Sequence, residues 1–203
     1  MIHPMAPPAT RQRLVAATRD AIRDVGLQAA TAREITGRAS ANLAAIPYHF
    51  GSKDALVTEA LVSEARDLLA PVWELLGSDR PAVERATSAV VMLNDLFDGA
   101  RAQVPVYLAA LSTAPHSPDV QAGLGDLWTE LRDRLDQDIT AQSAKGDLPS
   151  WVDSSAMAAL ILAVVNGVVV ASVIDPNGPD HRAVAGQFLA LLMTAAQRAG
   201  GSS

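Results

Sequence analysis

The chain has 203 residues, 16 lysines and arginines against 22 aspartates and glutamates, a net charge of −6, and no cysteine. That length is enough for a sizeable hydrophobic core, and the missing thiol excludes a disulfide framework, a cysteine-based zinc or iron–sulfur site and a thiol nucleophile. The residues are 49% hydrophobic and 4% aromatic, with 38 alanines, which argues against an all-β fold and against disorder over most of the chain.

Charge is placed unevenly. Residues 1–53 hold seven basic groups against three acidic, a net +4, while residues 54–203 hold nine against nineteen, a net −10. A basic amino-terminal quarter on an acidic protein fits an end that meets a polyanion; a solvated charged face has the same composition.

Residues 1–9 read as a short flexible tail with no apolar signal-peptide core. The periodicity then predicts a first helix over 11–25, with Leu14, Val15, Thr18, Ala21, Ile22 and Val25 on one face and Gly26 just past its end. Thr31 to Glu34 reads as a capping box. The Thr31 hydroxyl accepts from the Glu34 amide, and the Glu34 side chain reaches back. It opens a short second helix ending near Ala39. Ser40 and Ala41 make a tight turn, and Asn42 caps a third short helix over 43–50. Ser52 caps a fourth helix beginning at Lys53, in which Pro71 predicts a kink or stop near Ala70. Further helices are expected over 82–102, 104–114, 119–145, 152–174 and 181–199, separated by loops rich in proline and glycine.

The segment Ala156 to Ile174 is uncharged and near the length that spans a bilayer. Its flanks are Asp153 and Asp175 without a basic anchor, Asn166-Gly167 lies at its centre, and many of its residues are alanine. Burial between helices or between subunits is therefore expected, not a membrane.

Residues 32–50 thus give two short helices joined by a tight turn, with the first helix covering their apolar side. This is a helix-turn-helix, whose second helix can enter a major groove. The stretch from Leu14-Val15 through Ile22, Gly26-Leu27, Thr31, Ile35 and Ala39-Ser40-Ala41-Asn42, ending in Tyr48-His49-Phe50-Gly51-Ser52-Lys53-Asp54-Ala55-Leu56, resembles the DNA-binding domain of the tetracycline-repressor-like (TetR) family. The rest of the chain matches that family in architecture. Two departures stand out. The family turn Ala-Gly-Val-Ser is here Ala39-Ser40-Ala41-Asn42, so Ser40 has to adopt an unusual backbone angle. Pro47 lies in the recognition helix, near its first turn, where the lost amide matters least.

The resemblance implies an all-α protein of about nine helices: a tail over 1–9, a helix-turn-helix domain over 10–53 and a ligand-binding and dimerisation bundle over 54–200. It implies double-stranded operator DNA as one partner, a small-molecule effector as another, and a second copy of the chain. The function it implies is a ligand-responsive transcriptional regulator of the repressor kind, acting in the cytoplasm. The alternative is an all-helical dimeric binding or scaffold protein without specific DNA recognition.

The candidate DNA contacts are Thr31, Arg33, Asn42, Leu43, Ala44, Ala45, Pro47, Tyr48, His49 and Lys53. Small Ala44 and Ala45 permit close approach to base edges, and their methyls suit a thymine methyl. Tyr48, His49 and Lys53 suit phosphate, as does Thr31, while Ile35, Ile46 and Phe50 are core. Few residues of the recognition helix can read a base bidentately, so specificity falls to apolar contacts, Arg33 and DNA shape. DNA binding that weakens steeply with salt is expected.

Pocket candidates are Trp73, Met92, Leu96, Tyr107, Leu111, Leu124, Trp128, Leu131 and Asn166, with Asn94 as a further polar group; each serves equally as ordinary core. The shortage of clustered charge points to a largely apolar effector. Interface candidates are Leu160, Val164 and Val168 on the apolar helix, and Val184, Phe188, Leu191, Leu192 and Ala195 on the last. No metal, cofactor or catalytic residue is expected. The four histidines are scattered, no phosphate-cradling loop or nucleophile elbow appears, and Glu130, Asp133, Asp136 and Asp138 read as a solvated face.

Overall fold

The computed structural model describes residues 9–70, 88, 103–146, 148, 150–175, 178, 180, 183, 184, 186–188, 190 and 191. Among these residues the regular elements are α1 (Thr10–Val25), α2 (Ala32–Arg38), α3 (Ala45–Phe50), α4 (Lys53–Leu68), α5 (Val104–Thr113), a 3₁₀ turn at Ala114–His116, α6 (Pro118–Ala144) and α7 (Ser154–Ile174). The all-α expectation holds. The predicted helix over 82–102 lies outside the described residues except for Ser88, and the last predicted helix is described only in helical pieces between 183 and 191.

Local chemistry sets the boundaries. Gly26, at φ +81°, ends α1 in a conformation that a side chain resists. Ser52 Oγ accepts from the Ala55 amide at 3.0 Å at the start of α4. Asp153 Oδ1 does the same for Ala156 at 2.8 Å at the start of α7. The α4 helix ends at Leu68, shortly before Pro71. The expected break at 115–118 is present: the 3₁₀ turn at Ala114–His116 and Ser117 separate α5 from α6, which Pro118 opens.

The described helices fall into two compact units, one from residues 1–67 and 102–124, the other from 68–101 and 125–203. In the first, α1 packs on α2, α3 and α5. Its core face is Leu14, Ala17, Thr18, Ala21 and Ile22, a spacing of three and four. Val25, expected on that face, is 46% exposed because it is the final residue of the helix. Ile35, Ile46, Leu56, Leu61 and Val106 complete the dry interior. Gly123 lets α6 approach α4 closely: a Cβ there would lie 2.7 Å from Val62 Cγ2. In the second unit, Leu127, Leu131, Leu135, Ile139, Ala158 and Leu162 are buried.

Ion pairs fix α1 against α4. Arg11 bonds both carboxylate oxygens of Glu59, and Arg19 bonds Asp67 at 2.6 Å. Both pairs are 48 residues apart in sequence, so the helices advance together and run in the same direction. Between them Glu64, 1% exposed, lies 3.2 Å from Arg19 Nε and 3.6 Å from Arg23 Nη2. Burial pushes its carboxyl up from the ordinary glutamate value, while the two arginines pull it back.

Candidate nucleic-acid interface

The turn between α2 and α3 is built from backbone geometry. The Ser40 amide donates to the Gly37 carbonyl at 3.2 Å, and the Ala41 amide to the Thr36 carbonyl at 3.0 Å. This pair of bonds is a Schellman motif, whose pivot residue is left-handed and usually glycine. Here the pivot is Ser40, at φ +48°, the only non-glycine residue with positive φ among the described residues. The strained turn expected from its sequence is present. Arg13 reaches across from α1 to hold it, donating from Nε to the Ala39 carbonyl at 3.2 Å.

Two expected caps differ in detail. Thr31 Oγ1 accepts from the Glu34 amide at 3.2 Å, so half of the capping box forms. The Glu34 carboxylate does not complete it; it accepts from Arg38 Nε at 2.8 Å, because an ion pair one turn away competes for it. Asn42 Oδ1 accepts from the Ala44 amide at 2.9 Å, and its backbone carbonyl from the Ala45 amide at 2.9 Å. That turn occupies residues 43 and 44, so α3 begins at Ala45 and not at Leu43. Pro47 is then the third residue of α3, among amides that have no partner within the helix in any case.

The outward face of this unit carries most of the candidates. Thr31, Arg33, Asn42, Ala44 and Pro47 are exposed, Leu43 is 49% and Tyr48 83% exposed, and Ala45, His49 and Lys53 are half-buried. Ile46 is buried beneath them. The Tyr48 and His49 rings meet edge to face at 4.8 Å between centroids. Arg11 lies 5.0 Å from the centre of the Phe50 ring, tying α1 to the end of α3.

Sequence reasoning missed how the cations are used. Arg11, Arg19 and Arg23 pair with carboxylates of α4, and Arg23 also with Asp20. Arg38 pairs with Asp24 and Glu34, and Arg13 is bonded to Ala39. Of the seven basic groups in residues 1–53, Arg33 and Lys53 are the two without an anionic or carbonyl partner among the described residues. Only long-range structure reveals this, since the partners lie up to 48 residues away.

The pocket and interface candidates scatter more widely. Trp73, Met92, Asn94 and Leu96 lie outside the described residues, as do Leu192 and Ala195. Tyr107 and Leu124 are buried in the first unit, with Leu111 half-buried on α5. Burial pushes the Tyr107 phenol up to about 12. Trp128 and Asn166 are half-buried in the second unit, where Asn166 Nδ2 donates to the Leu162 carbonyl at 2.9 Å. Asp136 departs from the solvated face expected of it: one carboxylate oxygen is buried and accepts no hydrogen bond from the described residues.

On α7, Leu160 is exposed while Val164 and Val168 are half-buried. Val184 and Leu191 are exposed and Phe188 half-buried. The exposed stripe of α7 runs through Ala159, Ala163, Gly167 and Ala171. By length and composition this helix can cross a membrane: the window Ser154–Ala171 has a mean hydropathy of 2.1, and 17% of it is buried within the chain.

Comparison with known proteins agrees with this geometry. Residues 14–60 match the bacterial regulatory proteins of the tetR family, and residues 81–197 match the carboxy-terminal domain of BetI-type transcriptional repressors. The HTH-type transcriptional regulator BetI 1 of Chromohalobacter salexigens is 27% identical over 191 residues, covering 85% of this chain and 83% of the relative. A transcriptional regulator from Rhodococcus superposes with a TM-score of 0.75 at 23% identity, covering 93% of this chain and 98% of that one. A regulator from Saccharomonospora viridis in complex with choline gives 0.71 at 19% identity, covering 88% and 92%. The chain belongs to the TetR family of DNA-binding transcriptional regulators, with a carboxy-terminal half of the BetI-type repressor class.

Proposed function

We propose that this chain is a homodimeric repressor that reads operator DNA through the surface from Thr31 to Lys53 and is released from it by a small effector whose largely apolar body carries a positive centre. Residues 10–53 are the DNA-reading domain in this proposal, and 54–200 bind the effector and the partner copy, in the cytoplasm. The observation that carries the reading is the held helix-turn-helix itself. Its turn is fixed by Arg13, α3 is helical despite Pro47, and its outward face is flanked by Arg33 and Lys53, two cations without an anionic partner among the described residues.

The exposed apolar face of α7 supports a second copy. A helix this apolar with so little of it buried in its own chain needs a cover, and two-fold pairing is the commonest one. The effector reading has its own support. The similar regulator from Saccharomonospora viridis holds choline, and the unpaired buried oxygen of Asp136 suits a small molecule with a positive centre.

The test is fluorescence anisotropy of the intact protein on the DNA flanking its own gene, against excess unrelated DNA. Competitor-resistant binding that choline or a related small cation reverses is the expected result. Loss of all binding to competitor, on this DNA and on sequences selected from a random pool, would refute it. Sedimentation in plain buffer gives a dimer on this reading, whereas a need for detergent would point to α7 in a membrane.

A further inference from the structure

The centre of the reading face carries no side chain that can hydrogen-bond to a base. From the turn into α3 the exposed side chains of that face are Ser40, Asn42, Leu43, Ala44, Pro47 and Tyr48. Asn42, the natural adenine reader among them, has its side-chain carbonyl folded back onto the Ala44 amide at 2.9 Å. Bidentate recognition of adenine needs that carbonyl for the base. Tyr48 lies at the far end, its ring in a T-shaped contact with His49. The middle of the face is therefore carbon: Leu43, Ala44 and Pro47.

Leu43 is the anomaly in this set. A leucine that is 49% exposed, three residues before the buried Ile46, is not serving the core of its own chain. Within a major groove there is one apolar partner for it. Of the four bases only thymine presents a methyl group there. Resting on the reading that this surface binds operator DNA, we propose that Leu43 is a specificity-determining residue that selects a thymine by packing on its C5 methyl. The operator half-site is then recognised by methyl contacts at its centre, not by hydrogen bonds to base edges. Lys53 and Arg33 add charge beside that carbon patch.

Replacing thymine by uracil removes the methyl and leaves every hydrogen-bonding group of the base in place, which makes the inference directly testable. The intact protein would first select duplexes from a random-sequence pool. Each thymine of the enriched site would then be replaced in turn by uracil, and affinity read by anisotropy at fixed salt. One position per half-site is expected to lose about fourfold in affinity, the worth of one buried methyl, and about 15-fold when both half-sites are changed. In Leu43→Ala, whose substituted side chain is exposed, the same uracil is expected to have little effect. An enriched site indifferent to uracil at every thymine would overturn this inference alone, and so would a uracil effect undiminished in Leu43→Ala. The first of those results is also what a leucine wedged into the minor groove would give. A pool that yields no enriched sequence would overturn the regulator reading and this inference together.

Discussion

The pairing of the amino-terminal arginines makes a quantitative prediction about salt. Each phosphate neutralised on duplex DNA contributes about −0.9 to the slope of log affinity against log salt. If all seven basic groups of residues 1–53 met phosphate, a dimer would neutralise fourteen, for a slope of about −13. Five of the seven are held inside the unit by carboxylates or the Ala39 carbonyl. Arg33 and Lys53 remain, four cations per dimer, for a slope of about −3.6. Raising salt from about 50 to 200 mM would then weaken specific binding by about 150-fold. The perturbation is Lys53→Ala, which is expected to halve the slope to about −1.8 and weaken binding to all sequences alike. Anisotropy titrations over a salt series measure both quantities. A wild-type slope steeper than about −8 would show that the paired arginines leave their carboxylates on DNA, and would refute the reasoning. A slope unchanged by Lys53→Ala would remove Lys53 from the phosphate contacts.

Three further outcomes are expected. Ser40→Gly relieves a left-handed residue at the Schellman pivot and should raise unfolding free energy by about 0.5–1 kcal/mol in denaturant titrations; a loss of stability would mean the serine side chain does something the geometry does not show. Gly123→Ala places a methyl against the stiff, β-branched Val62 and should cost about 1–3 kcal/mol, with thermal melting of the purified variant as the check. The Glu64 carboxyl is pushed up by burial, so its protonated form is favoured in the folded state. Its stabilising contribution is full below the ordinary glutamate value of 4.5 and fades as pH rises through the raised folded value. Melting of wild type and Glu64→Gln at pH 7 and pH 5 should therefore show the wild type gaining on the variant as pH falls, and the opposite trend would reverse the assignment.

Much of this architecture was legible before any coordinates, and for local reasons. Gly26 and Ser52 act within three or four residues of themselves, so sequence alone locates them. The three-and-four spacing gave the buried face of α1, but periodicity does not say where packing ends, which is why Val25 stands exposed and Ala17 does not. Competition is the second limit. Glu34 had two possible partners one turn apart, and Arg38 took it. Asn42 has the chemistry of a helix cap and instead makes a turn that delays α3 by two residues. The third limit is distance: a count of +4 cannot show that the arginines of α1 lie along the carboxylates of α4.

That last arrangement bears on how a protein of net charge −6 reads DNA at all. Cations that pair internally fix the orientation of α1 against α4 and contribute nothing to a diffuse attraction for phosphate. Non-specific affinity rises with the number of phosphates neutralised, and an acidic protein with two cations per reading head that have no carboxylate partner among the described residues has little of it. Specificity is the ratio of operator binding to that background. Lowering the background raises the ratio without a single added base contact. A reading face of leucine, alanine and proline, whose individual contacts are each worth little, suffices under those conditions. Adding cations next to it, for example by Thr31→Lys, should tighten binding to every sequence while eroding the discrimination between operator and random DNA.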